Sequence, residues 1–280
     1  MILRNNKNQL HITDLVLSFT PVLIAICLQY LTVIGDIIVL FFKNLFSDEK
    51  TVSTRLAGTI LTQDYNQPMN QAYILLARYV LYIIVFGVWY YKTLVKNDDF
   101  KLKPLTLVLM IPMGISAQIV VDAVLVLARP CFPHAFSGYD SLVQNVTGAG
   151  ASFVMTLAIM IIAPIGEELL FRGVMFKYFC RYLATAPAIA FQALIFGIYH
   201  GNIIQGIYAF FLGILLGAVY QHSGSVIPCI ALHMSINISF FFIPEVLFAT
   251  VLRTIIAGVA GLLLLILCIF FALKKRNSGT

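Results

Sequence analysis

Charge is scarce in this sequence. Asp, Glu, Lys and Arg together make up 11% of its 280 residues, less than half the share of a soluble domain. Apolar residues make up 60% and the mean hydropathy is +0.94, so there is too little polar surface for a soluble globule. Strict polar/apolar alternation is also missing, which excludes a membrane barrel. The five cysteines, Cys27, Cys131, Cys180, Cys229 and Cys268, contain no CxxC pair, so neither a zinc-thiolate site nor a disulfide framework is indicated. The formal charge of +6 is not gathered into a basic run with interleaved aromatics, and no nucleic-acid partner is expected. The first apolar run lacks a small-residue cleavage site and reads as a retained helix rather than a removed signal.

What the chain has instead is long apolar runs, most near the roughly 20 residues that cross about 30 Å of hydrocarbon. The expected architecture is an all-α membrane protein, a bundle of about eight transmembrane helices near residues 15–42, 72–95, 105–129, 151–166, 187–200, 203–221, 225–243 and 248–273. The fourth is expected to continue as helix through Arg181, and 44–71 and 130–150 read as long loops. Eight crossings put both termini on one side. That side receives Arg4, Lys7, Lys92, Lys96, Lys101, Lys103, Arg172, Lys177, Arg181, Lys274, Lys275 and Arg276. By the positive-inside rule it is the cytoplasm, which places Glu167 at the cytoplasmic mouth of its helix.

Ionisable side chains cost free energy in lipid unless they face protein or water and find partners. They are dense in Ala163-Pro164-Ile165-Gly166-Glu167-Glu168-Leu169-Leu170-Phe171-Arg172-Gly173. Glu168 and Arg172, four apart, share a helical face and can pair. Glu167, turned about 100° away, is left for other work. Phe196-Gly197-Ile198-Tyr199-His200 ends one apolar run, and His233 and Asn237 lie four apart on another. Arg78, Asp122 and Arg253 are stray charges expected to be paired or near an interface. Gly213 and Gly217 read as close helix contact, Ser116 as helix packing and His222 as surface.

A glutamate and a histidine can hold and deprotonate a water, and a histidine with an amide donor can stabilise an oxyanion. Together these would hydrolyse a peptide bond without a protein nucleophile. Glu167, His200 and His233 could equally bind a divalent metal such as zinc, and the spacing leaves both mechanisms open. A catalytically silent immunity or scaffold protein and a transporter with a proton relay are the competing classes.

The sets Glu-Glu-x-x-x-Arg at 167–172, Phe-x-x-x-His at 196–200 and His-x-x-x-Asn at 233–237 resemble the three motifs of the CAAX proteases and bacteriocin-processing enzymes. This CPBP or Abi family includes the eukaryotic type II CAAX prenyl endopeptidase. The resemblance divides the chain into divergent N-terminal helices and loops (1–149), a protease core (150–240), and a last helix with a basic tail (241–280). It implies that Glu167 activates water with help from His200. Glu168 and Arg172 would support the geometry, His233 and Asn237 would stabilise the oxyanion, and Phe196 would shape the wall. It further implies a peptide or protein substrate at the bilayer and, from bacterial members, a multi-pass protein of a bacterial plasma membrane. HExxH and GxGD motifs are absent, which sets aside the site-2 and aspartyl types of intramembrane protease.

Overall fold

Backbone N–H and C=O groups in hydrocarbon have no water to bond, and this chain satisfies them within each segment as helix. The computed structural model describes residues 17–45, 67–93, 104–148 and 152–273. Among the described residues, regular structure is entirely helical and forms two short 3₁₀ turns, Arg129–Cys131 and Glu245–Phe248, and nine helices. They are α1 (Thr20–Leu45), α2 (Pro68–Thr93), α3 (Pro104–Ala128), α4 (Pro133–Thr147), α5 (Phe153–Tyr182), α6 (Thr185–Tyr199), α7 (Ile203–Ser223), α8 (Val226–Phe242) and α9 (Val251–Leu273). Helices α1, α2, α3, α5, α7 and α9 are long and apolar enough to cross a membrane, while α6 and α8, with 15 and 17 residues, are shorter. The chain is thus an integral, multi-pass all-α membrane protein. Most of the 44–71 loop and the terminal basic residues Arg4, Lys7, Lys274, Lys275 and Arg276 lie outside the described residues, as do Lys96, Lys101 and Lys103.

Two expectations change. Most of 130–150 is not a loop, since α4 occupies Pro133–Thr147. Pro133 opens it at a first-turn position where its missing N–H costs nothing, and Phe136 and Tyr139 bury one face against Ile204 of α7. The polarity of its other face hid it among the apolar runs. Glu167 is also not at the mouth of a helix. It stands midway along the 30 residues of α5, which runs unbroken through the charged motif.

The lipid-facing side is plain on α9, which buries Thr254, Gly261, Cys268 and Ala272 and exposes leucines and isoleucines along the rest of its length. In water such a face would be an aggregation liability; in a bilayer it is the solvated surface. On the inner side, small residues let backbones approach. A Cβ on Gly114 of α3 would stand 2.5 Å from Ser235 of α8, and one on Gly197 of α6 would stand 2.5 Å from the Gly206 carbonyl of α7. Gly213 and Gly217 of α7 likewise sit against Ala193 and Gln192 of α6, a contact within the chain. Ser116 donates to the Met113 carbonyl in its own helix, and His222 is exposed.

Helix α5 is mostly buried at its centre and carries two π-helical stretches, Ala158–Ile162 and Leu169–Met175. The first follows from Pro164, which has no N–H to donate. The N–H of Ala163 reaches five residues back to Ala158. The Ile159 carbonyl, whose five-back donor would have been Pro164, instead accepts from Nδ2 of Asn237 at 2.8 Å. Such wide turns recur at functional sites, and here one ties α5 to α8 beside the carboxylates.

Candidate active site

Between the two π-helical stretches, α5 makes one ordinary turn, and Glu167 and Glu168 leave it in different directions. Glu168 points into the protein and is fully buried. Its Oε1 accepts from Nη1 of Arg172 at 2.7 Å and from Nδ1 of His233 at 2.8 Å. Arg172, also fully buried, donates a second bond to the Gly213 carbonyl at 3.3 Å. Gln192 donates to the same carbonyl at 2.9 Å. Phe196 covers the guanidinium, with the charge 4.5 Å from its ring centroid. The pair expected from the i, i+4 spacing is therefore formed and is built into α5, α6, α7 and α8 at once. Breaking one side of such a buried pair typically costs about 3–5 kcal/mol.

Glu167 is buried on the other side, facing a cavity. Its Oε1 accepts the phenolic hydrogen of Tyr79 from α2 in a short hydrogen bond. Its Oε2 lies 3.8 Å from Nε2 of His233, too far for a hydrogen bond. Gly166 makes the Tyr79 contact possible, because a Cβ there would stand 3.1 Å from the Tyr79 ring.

The hydrogen bonds fix the imidazoles' roles by chemistry. His200 sits just past the end of α6, where Gly201 (φ +71°) takes the left-handed conformation that turns the chain into α7. Its Nδ1 is 2.7 Å from the Phe196 carbonyl. A carbonyl only accepts, so Nδ1 carries the hydrogen and Nε2 of neutral His200 presents a lone pair. His233 Nδ1 faces the Glu168 carboxylate and is likewise the donor, leaving Nε2 turned toward Glu167. The edge of Phe196 meets both rings, at centroid distances of 4.8 Å and 5.8 Å.

Glu167, Phe196, His200, His233 and Asn237 thus line one cavity of about 480 Å³, although they come from three segments of the sequence. Glu168 and Arg172 stand behind it. Asn237 spends one amide hydrogen on Ile159 and keeps a second. Sequence reasoning missed Tyr79 and Gln192 and misplaced Arg78. Asp122 is paired with Gln118 at 2.8 Å and Arg253 is exposed, but Arg78 lines the cavity.

Among the described residues, no group of three His, Cys, Asp or Glu side chains is gathered as a metal ion would need. The candidate ligands Glu167, His200 and His233 are neighbours of one cavity and, as arranged, do not fit a resident zinc ion.

Compared with known families, residues 149–239 match the model described as type II CAAX prenyl endopeptidase Rce1-like. The match spans all three motifs and covers about a third of the chain. Among curated proteins and among solved structures, none matches. Motif order, the shared cavity and the family match agree: the core of this membrane protein, residues 149–239, is similar to the Rce1-like type II CAAX prenyl endopeptidase family.

Proposed function

We propose that this protein hydrolyses a peptide bond of a membrane-associated protein or peptide with a water activated by Glu167. The observation that carries this is the contrast between two adjacent carboxylates. Glu168 is consumed by Arg172 and His233, whereas Glu167 faces the cavity beside His200 and His233.

In this mechanism a water lies between Glu167 and the Nε2 lone pair of His200. Glu167 takes its proton as the oxygen attacks the scissile carbonyl. The resulting oxyanion is met by an N–H on Nε2 of His233, whose imidazolium form is supported through Nδ1 by Glu168, and by the second amide hydrogen of Asn237. Before the proton moves, Glu168, Arg172, His233 and Glu167 carry charges that sum to zero; after it the oxyanion carries the charge that Glu167 has lost, so the balance within the buried site is kept. Collapse breaks the C–N bond, and Glu167 passes its proton to the leaving amine. Tyr79 holds Glu167 in place and makes no contact with the reacting atoms. Nothing in these steps needs a metal. The lysine and arginine bias supports termini in the cytoplasm, and the likeness to bacterial family members supports a bacterial plasma membrane. Prenylated CAAX peptides, named for the family, are the first substrates to try.

The test is purified protein in nanodiscs with a labelled prenylated CAAX peptide, with and without EDTA. Glu167→Gln is expected to lower kcat by roughly 10²–10⁴-fold, and EDTA to leave the wild-type rate unchanged. Loss of activity in EDTA that zinc restores would overturn the metal-free mechanism.

A further inference from the structure

Helix α2 turns Gln71, Leu75, Arg78 and Tyr79 toward the cavity, spaced i, i+4, i+7 and i+8 as one helical face requires. Arg78 is the residue whose presence there needs a reason. Its side chain is largely enclosed, its Nε is buried with no hydrogen-bond partner, and its guanidinium lies 5.1 Å from the centroid of the Tyr79 ring, with the Glu167 carboxylate near enough to attract it but not bonded to it. Among the described residues no carboxylate stands within ion-pair distance of it. A guanidinium inside a membrane bundle is costly without a bonded anion, and this one lines a cavity that, among the described residues, no other Lys or Arg lines. The other charged groups there are hydrogen-bonded: Glu167 to Tyr79, and Glu168 to Arg172 and His233.

We propose that Arg78 is a specificity-determining residue that binds the free C-terminal carboxylate of the peptide being cut. The proposal rests on the peptidase reading and deepens it. A guanidinium offers two parallel N–H donors, a geometry that matches the two oxygens of a carboxylate. Arg78 immediately precedes Tyr79, which touches Glu167, so the anion would sit within a few residues of the reacting bond. A cavity of about 480 Å³ has the size of a small-molecule site. It has room for a short piece of chain.

The experiment compares one labelled, prenylated CAAX peptide bearing a free C-terminal carboxylate with the same peptide as its carboxamide. Wild-type protein, Arg78→Gln and Arg78→Lys are assayed in nanodiscs of neutral lipid, for cleavage and, on a Glu167→Gln background, for binding by fluorescence anisotropy. The expected result is a wild-type preference for the acid of roughly 30-fold or more, the scale of a buried charge pair that loses one partner. Arg78→Gln removes the preference by weakening the acid far more than the amide. Arg78→Lys restores part of it, which also shows that the helix folds. Equal handling of acid and amide by the wild type overturns the proposal without any variant, as does a preference that survives Arg78→Gln. Binding of phosphatidylglycerol that depends on Arg78, with no acid preference, would assign the guanidinium to a lipid phosphate and likewise overturn it. An Arg78-dependent acid preference in binding with no cleavage of either peptide would support the anchor while sinking the hydrolase reading.

Discussion

The cavity has one wall from α5, α6 and α8 and another from α2, and the two treat charge differently. On the motif-bearing wall the charges are tied together: Arg172 to Glu168, Glu168 to His233, and the guanidinium covered by Phe196. On α2, Tyr79 is tied to Glu167 while Arg78 is tied to no carboxylate. Paired charges in a low-dielectric interior hold a shape, whereas an unpaired one keeps its electrostatic attraction for something that arrives. In the proposed mechanism the first wall would supply the frame and the chemistry, and the second would position Glu167 and select what is cut.

That contrast can be broken from either side. The largest effect is expected on the tied wall. Arg172→Met leaves Glu168 buried without its cation and should destabilise the fold by about 3–5 kcal/mol, with loss of activity. The double variant Glu168→Gln/Arg172→Met should regain much of the thermal stability in detergent but little activity, because His233 keeps no carboxylate. If both variants unfold at the same temperature, the two residues do not act as a pair. A smaller effect is expected at Tyr79. Tyr79→Phe removes one hydrogen bond to the Glu167 carboxylate, worth about 1.5–3 kcal/mol, and should lower kcat by about tenfold or more with KM kept. A rise in KM at constant kcat would instead make Tyr79 a substrate-binding residue. The smallest effect belongs to Arg78→Gln assayed on a carboxamide peptide, where the rate is expected to fall far less than on the free acid. A loss there as large as on the free acid would mean that Arg78 acts on Glu167 or on the fold.

How much of the fold and site is legible in the sequence depends on the distance over which each contact is made. The Glu168–Arg172 pair and the common face of His233 and Asn237 follow from i, i+4 spacing, and both can be read from the residues alone. So can the apolar helices, because lipid leaves the backbone no other choice. Contacts between distant segments cannot. Tyr79 meets Glu167 across 88 positions, and nothing beside Tyr79 in the sequence marks it, apart from the arginine before it in an apolar helix. That arginine is the available signal, and the default expectation of a paired stray charge obscures it. Asn237 bonds Ile159 because a proline five residues further along α5 withholds an N–H, a local effect visible only once the helices are placed. Helix α4 escapes because its polarity resembles that of a loop, and only its burial against α7 shows otherwise.

The central claim is that Glu167 delivers a water, and no protein atom, to the scissile carbonyl. Cleavage of the prenylated peptide by wild-type and Glu167→Gln protein in water enriched in ¹⁸O tests it directly, with products read by mass spectrometry. The predicted result is one ¹⁸O in the newly formed carboxylate of the wild-type product, no covalent peptide–enzyme species at any time, and almost no product from Glu167→Gln. A trapped acyl-enzyme, or labelled product formed by Glu167→Gln at the wild-type rate, would contradict it.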